Sequence, residues 1–529
     1  MIRILFWIVF LMTVSVCHAE DITIRYKGTT AKVEQKVKDS VNVTVDGASV
    51  TIESLFRDRK LTLRLTGKSE DGRLALKTAG KAKVTLDGLT LTSQEGAPIE
   101  LKNKKKVEIK ATKGTENTLT VTACVDTANH KAAVIWAKDK LLLSGKGTLN
   151  VVATGDGCRG VKTKKDITIE ELTLNVTTSG NHLGEKPFGF GGGFPDFGGG
   201  FPPFGNDSIQ SGGFPGPQGG FPPFGNDSIQ SGGFPGPQGG FPPFGGGMPN
   251  FSGGMPNFGG GFSGSPGDNF PIFGGMRPED NDSTDEGGFG GGFGGKHKYY
   301  SSAKGIASKG KITVNSGRVT VRTSTAGAEG IEGKQGIVFN GGTVDVLTPD
   351  DAINANAAIE FNGADVTARS MGNDAVDANP AGGFFPPFGG GNGQKIEPAI
   401  IIRGGTVYAW SQVGPPEEGL DSDMAPLAIE GGRVFTVGGA IGDMPSVPTN
   451  ETAKQPTILL TGIDIVKDEP VNIYTGNGKL IDTVTIPFSM RRSASLVSSP
   501  AFKQGSTYTV KTKGYEKTFI FSDPFTVVR

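Results

Sequence analysis

The stretch IVFNGGTVDVLTPDDAINANAAIEFNGADVTA, residues 337–368, holds one phrase twice. Each copy (Ile337 to Val346, then Ile359 to Ala368) is a pair of short alternating runs around a turn marked by Asn and Gly. ITVNSGRVTV (Ile312 to Val321), IIIRGGTVYA (Ile400 to Ala409) and LAIEGGRVFT (Leu427 to Thr436) repeat it. Val321 to Val346 is 25 positions and Val346 to Ala368 is 22, while Ala368 to Ala409 is 41 because PAGGFFPPFGGGNGQ interrupts it. Period-two alternation marks strands. A strand–turn–strand unit that returns at this spacing marks a solenoid, because one coil alone leaves its apolar face bare and stacking covers it. A β-sandwich also has short strands and glycine turns, but it gives no reason for one turn sequence to recur at a nearly fixed interval. The expected fold is therefore all-β, a parallel β-helix built as a single-stranded solenoid.

Upstream, Asp21 to Asn175 is written in the same grammar: VNVTV, KLTLRLTG, KVTLDGLTLTS, KLLLSGKGTLNVV, DITIEELTLNV. Downstream, Thr457 to Arg529 departs from it, with longer alternating runs and hairpin signals at Gly476-Asn477-Gly478 and Lys513-Gly514. That segment is expected to be a small β domain or an antiparallel cap, because a solenoid end exposes an unpaired strand edge. Pro187 to Gly295 is Phe, Pro and Gly with polar punctuation, and FPPFGNDSIQSGGFPGPQGG at Phe201 to Gly220 is repeated unchanged at Phe221 to Gly240. Without hydrophobic periodicity or enough aliphatic side chains for a core, it reads as a disordered insertion, or as a Phe-bearing tether for polysaccharide or cell surface. The expected divisions are a signal peptide at 1–19, N-terminal coils at 20–186, the insertion at 187–295, C-terminal coils at 296–456 with a short insertion at 380–394, and the cap or domain at 457–529.

Lys plus Arg balance Asp plus Glu at 53 each, so no net charge draws the chain to nucleic acid or to a membrane surface. The start MIRILFWIVFLMTVSVCHAE has a charged Arg3, an apolar core and a plausible cleavage point at Ala19, which predicts export and a secreted or cell-surface location. VSVC is a poor lipoprotein box because of Val16. No later run approaches a membrane span. Cys124 and Cys158 remain after cleavage and are read as small core residues, with a disulfide as the lesser reading.

The chemistry lies in the turns before the repeats. EGIEGK (Glu329), DAINAN (Asp351), DAVDAN (Asp374) and EGLDSD (Glu418) share the pattern acid, small, aliphatic, polar, small, polar, with DGCRGV at Asp156 and KGIASK at Lys304 as weaker versions. Stacking would make columns of Glu329, Asp351, Asp374 and Glu418, of Glu332, Asn354, Asp377 and Asp421, and of Lys334, Asn356, Asn379 and Asp423. Coils lie about 4.8 Å apart, where two carboxylates repel by roughly 3 kcal/mol at an effective dielectric of 20. Protonation or splaying into water would relieve this. A hard cation with oxygen ligands does so more fully, and the mixture of Asp and Asn without His or Cys favours Ca2+ over zinc or copper. The candidate ligands are Asp350, Asp351, Asn354, Asn356, Asp374, Asp377, Asn379, Glu418, Asp421 and Asp423, and a solvated acidic ladder is the competing reading.

The runs KVTLDGLTLTSQEGAPIELKNKKKVEIKATKGTENTLT and KAAVIWAKDKLLLSGKGTLNVVATGDGCRGVKTKKDITIEELTLNV resemble the bacterial secreted carbohydrate-binding β-helix family, as do the Gly-rich insertions and the late GLDSD turn. The resemblance implies a pectate-lyase-like right-handed helix with structural calcium. It also implies a non-catalytic binding role toward cellulose or acidic polysaccharides such as polygalacturonate. Lys304, Lys309, Lys334, Arg403 and Trp410 are the candidate carbohydrate contacts, with Trp136, Tyr408 and Phe435 as further aromatics for sugar stacking. The lysine runs have a plainer reading as a solvated face, and strand aromatics are more often core. A calcium-dependent polysaccharide lyase on the same scaffold is the alternative, needing a Lys or Arg base, but no basic residue stands out for that role. A passive adhesin or spacer that displays the Phe/Gly loop is the third reading. Ser/His/Asp catalysis has little to build on with only His130, His182 and His297 in the mature chain.

Overall fold

A computed structural model of the chain describes residues 20–124, 132–182, 302–380, 397–422, 425–439 and 446–528. The expected signal peptide, the whole of the long insertion, all of the short one but Pro380, Asp423, His130 and His297 lie outside the described residues. Among the described residues all regular structure is β, and no helix is long and apolar enough to cross a membrane.

In the central coils the chain lays down three short strands per turn, each hydrogen-bonded in parallel to its counterpart one coil away. The first column carries Arg159–Thr163, Ile306–Ser308, Ile331–Gly333, Ile353–Ala355, Val376–Ala378 and Leu420–Asp421. The second carries Ile312–Val314, Ile337–Phe339, Ile359–Phe361, Ile400–Ile402 and Leu427–Ile429. The third carries Arg318–Thr323, Thr343–Thr348, Asp365–Ser370, Thr406–Ser411 and Arg433–Val437. The repeated phrase is thus one strand of the second column, a turn, and one strand of the third. Its alternate residues point inward, so Ile337 stacks between Ile312 and Ile359, and Val344 between Val319 and Val366. All are buried in a continuous aliphatic core. Phe339 and Phe361 stack in the same interior with ring centroids 5.2 Å apart.

The turn inside the phrase explains its Asn and Gly. Asn340 donates to Asn315 and Asn362 donates to Asn340, each at 2.8 Å, so the amides form a ladder up one edge. Glu170 Oε1 ends it below by accepting from Asn315, and the Arg403 guanidinium ends it above by donating to Asn362. Gly342 sits at φ +84°, and a Cβ there would lie 2.5 Å from the Gly317 carbonyl oxygen, so neither the backbone conformation nor the space admits a side chain.

Insertions do not disturb the stacking. Thr173–Thr178 pairs directly with Arg318–Thr323, although more than a hundred residues intervene in the chain. Likewise Ile359–Phe361 pairs with Ile400–Ile402 across the short insertion. The long insertion enters and leaves between the third and first columns, the short one between the first and second, so the two flank the first column.

Cys124 and Cys158 form a disulfide, with Cα atoms 5.8 Å apart, which corrects the reading of both as simple core residues. The register supplies the reason: Val121 pairs with Ala153, so residues 34 apart in sequence sit at neighbouring corners of adjacent coils.

At the C-terminal end, the strand Arg433–Val437 pairs antiparallel with Met490–Ser498, which also pairs with Thr457–Ile465. A separate antiparallel sheet of Pro470–Thr475, Leu480–Thr485, Thr507–Lys511 and Glu516–Ile520 has its hairpin reversals at 475–479 and 512–515. A second apolar cluster, including Trp410, Phe435, Ile473, Phe488 and Phe521, joins this module to the outer side of the third column.

Candidate functional site

The first column has strands of only three residues or so, whose two ends point into the core. The middle residue faces outward, and the residue two places before the strand begins forms the turn. Glu332, Asn354, Asp377 and Asp421 are direct register partners at the middle position. At the turn position the carbonyls of Glu329, Asp351, Asp374 and Glu418 each accept a backbone N–H from the coil below, which places these four in a second file beside the first. The third expected file is in place for its described members. The Lys334 ammonium donates to Asn356 at 3.3 Å, and Asn379 sits one coil on, where its N–H donates to Ala355.

DGCRGV does not join the acidic file as the sequence suggested. Val161 pairs with Ile306, so Arg159, and not Asp156, occupies the position of Lys304. Asp156 instead accepts the backbone N–H of Asn181 at 2.8 Å.

These carboxylates are not splayed into water. Asp351 is 5 % exposed, Asp374 7 % and Glu418 7 %. Asn354 bridges two of the acids, its Nδ2 donating to Asp351 Oδ2 at 2.9 Å and to Asp377 Oδ2 at 3.0 Å. Asn379 Nδ2 donates to the same Asp377 oxygen at 2.7 Å. Asn373 donates to Asp350 at 2.9 Å. The Glu418 N–H donates to Asp374 Oδ1, and Ser446 serves the upper end, its N–H reaching Glu418 Oε2 at 2.9 Å and its hydroxyl reaching Asp421 Oδ1 at 3.1 Å. Asp351 Oδ1 is buried without a hydrogen-bond partner.

The electrostatics follow from this packing. Burial pushes the Asp374 carboxyl up to about 9, with Asp421, Glu417 and Asp377 adding to it against the Glu418 N–H. Burial likewise pushes Glu418 up to about 8, and Asp421 and Glu417 add to it against the Ser446 donors. Asp351 is raised well above the carboxylate range by burial, then by Asp377, Asp350, Glu329 and Asp374. Glu417, which sequence reasoning missed, is raised by burial and by Asp421. One coil lower the two acids of the turn diverge: burial, with Glu332 and Asp350 adding to it, pushes Glu329 up to about 7 against Lys304 and Lys334. Burial opposes ionisation of Glu332, but the ammonium groups of Lys304 and Lys334 bring its carboxyl down to about 2.

Among the described residues, no three His, Cys, Asp or Glu side chains converge as a ready metal cage. The donor chemistry nonetheless fits a hard cation: the groups present carboxylate, amide, hydroxyl and carbonyl oxygens, several carboxylates are buried side by side, and one of their oxygens is unpartnered.

The expected carbohydrate contacts are scattered. Lys304, Lys309 and Lys334 belong to the first-column region, with Lys304 buried and Lys334 half-buried. Arg403 lies on the amide ladder of another edge, paired with Glu360 at 2.7 Å and Glu430 at 3.3 Å. Trp410 is 5 % exposed, stacked on Tyr408 and edge-on to Phe488. Trp136 and Phe435 are buried as well, so of the four aromatics expected to be exposed only Tyr408 keeps appreciable surface. The outer face of a strand is covered wherever a further module packs on it, which no local pattern announces.

A family model described as a carbohydrate-binding domain-containing protein matches residues 46–186 and 274–375. A curated carbohydrate-binding domain-containing protein of Acetivibrio thermocellus is 30 % identical over 146 residues, 26 % of this chain and 50 % of that protein, so the chain spans about half the length of this relative. Among solved structures, a polysaccharide lyase-like protein from C. thermocellum, a gadolinium derivative, aligns over 66 % of this chain and 90 % of its own with 15 % identity and a TM-score of 0.37, too loose a likeness to carry an argument. The chain is thus similar to a carbohydrate-binding domain family.

Proposed function

We propose that this protein is a non-catalytic, secreted or cell-surface carbohydrate-binding protein whose solenoid is a right-handed parallel β-helix stabilised by calcium. Its targets are cellulose or acidic polysaccharides of the polygalacturonate type. The observation that carries the reading is the file of buried carboxylates along one edge of the coils, in a chain similar to a carbohydrate-binding domain family. Asp351, Asp374, Asp377, Glu418 and Asp421 would hold the cation, with Asn354 and Asn379 turning their amide oxygens inward. The bound ion would neutralise the stacked carboxylates and offer open coordination positions to uronate oxygens.

The remaining parts fit this reading. The C-terminal module serves as a cap, since its strand Met490–Ser498 covers the last edge of the third column. The apolar start of the sequence directs export. Of the basic groups near these coils that a lyase could draw on, Lys304, Lys309, Lys334 and Arg403, Lys304 and Arg403 are each engaged by two carboxylates and Lys334 by Glu332, which supports binding over elimination.

Retention of the full chain on polygalacturonate, alginate and cellulose, with and without a calcium chelator, tests the proposal. Retention on at least one of these without release of unsaturated product is expected, with a chelator-sensitive fraction on the acidic glycans. Absence of retention on all three contradicts the binding role, and ultraviolet-absorbing product contradicts the non-catalytic one.

A further inference from the structure

The first column changes sign along its length. From coil to coil the turn position is held by Arg159, Lys304, Glu329, Asp351, Asp374 and Glu418. Lys304 stands where basic gives way to acidic. It is 5 % exposed, and its ammonium lies 3.1 Å from Glu329 Oε1 and 2.8 Å from Glu332 Oε1. Lys334 reaches the same Glu332 oxygen at 2.5 Å. Glu329 and Glu332 therefore repeat the arrangement found above them, an acid in the turn and a polar oxygen at the next outward position, but with ammonium groups already seated among the oxygens. Among the described residues, no lysine or arginine pairs with Asp351, Asp374 or Glu418; Asp351 Oδ1 is buried without a hydrogen-bond partner, as Glu329 Oε2 is one coil below.

We propose that Lys304 is a built-in cation that takes the place of a divalent ion at the lower end of the acidic file, so that metal binding begins one coil above it, at Asp351. The inference rests on the cation reading of the upper coils. A buried lysine carries a heavy desolvation cost unless oxygens surround its charge, and here two carboxylates of one turn do so. An ammonium supplies one positive charge and three donors on a stem that fills the space beneath them. Removing that charge together with the Lys334 ammonium leaves Glu329 with the kind of surroundings Asp374 has, close to like charges and lacking a cationic neighbour.

The test compares the full-length chain with Lys304→Met and with Lys304→Met/Lys334→Met. Bound calcium per chain is counted by atomic emission after equilibrium dialysis, and melting temperature is followed in calcium and in chelator. We expect the double variant to hold one more ion per chain than the wild type. We also expect both variants to melt lower than wild type in chelator and to recover in calcium. A Lys304→Met chain that folds only with calcium supports the inference equally. Lys304→Arg should keep the wild-type ion count, and adding Glu329→Gln to the double variant should return the count to it. An unchanged ion count together with a melting loss that calcium does not restore overturns the inference, as does a variant unfolded in both conditions. A wild type that binds no calcium beside a variant that binds one would refute the upper-coil reading and leave the role of Lys304 standing. The reverse failure, a calcium-binding wild type and no gain in the variants, would do the opposite.

Discussion

Asn354 and Asp377 face each other in register on adjacent coils, and the Asn354 amide nitrogen donates to the Asp377 carboxylate at 3.0 Å while also reaching Asp351 at 2.9 Å. One amide thus tempers two buried acids. Asn354→Asp replaces that donor with a third negative charge. In chelator the variant should melt several degrees below wild type, and in calcium it should bind the ion more tightly. The two directions differ because a buried like charge costs stability on its own and becomes a ligand beside a cation. Thermal melts in the two buffers, with a calcium titration, check both. A loss of equal size in both buffers would speak against a cation at this position.

The pH dependence of the metal-free protein follows from the raised groups. Asp374 at about 9 and Glu418 at about 8 lie above their unfolded values, so the stability they lend is full below the ordinary carboxylate range and is lost as pH rises through 8 to 9. Melting temperature in chelator should therefore fall between pH 6 and pH 9.5, beyond what ordinary alkaline titration of lysines adds, and calcium should flatten that slope. Glu332, held down to about 2, acts the other way: its contribution is present above the ordinary carboxylate value and disappears as pH falls toward 2. A melt series across pH in chelator and in calcium measures both limbs.

The disulfide closes a loop across two coils. Cys124→Ser with Cys158→Ser should cost about 4 kcal/mol by the loop-entropy argument, read as a lower denaturant midpoint. Polysaccharide binding should persist where the variant is folded, because the acidic file lies further along the stack of coils.

Trp410 belongs to the core that joins the C-terminal module to the coils, with its indole N–H buried and unpartnered. Trp410→Phe should leave glycan retention within about twofold and cost little stability, whereas Trp410→Ala should cost about 3–5 kcal/mol. A Trp410→Phe chain that folds normally but loses glycan retention would make the ring a sugar contact after all.

The recurrent phrase carried most of the fold. Ile337 and Val344 announce the second and third columns because their alternation is local, and the interval between copies gives the stacking. The first column was legible only as a shared turn pattern, which sufficed to align Glu329 with Asp351, Asp374 and Glu418. It failed at DGCRGV, where three corner residues precede Arg159 and the true counterpart of KGIASK is RGVKTK, three places further on. Ser446 and Glu417 escaped notice because each approaches the file from a connecting segment with no repeat of its own. The burial of Trp410 was hidden for a related reason: its partner Phe488 is distant in sequence, so its cover is a tertiary fact. The pairing of Cys124 with Cys158 likewise depends on coil register, which spacing alone does not supply.

Calorimetric titration of calcium into the chelator-stripped full chain tests the central claim most directly, with Asp351→Asn/Asp374→Asn as the comparison. The account predicts saturable binding at a defined stoichiometry, a rise in melting temperature on loading, and loss of at least one ion in the double variant. No binding heat together with an unchanged melting temperature, or equal stoichiometry in wild type and double variant, would contradict it.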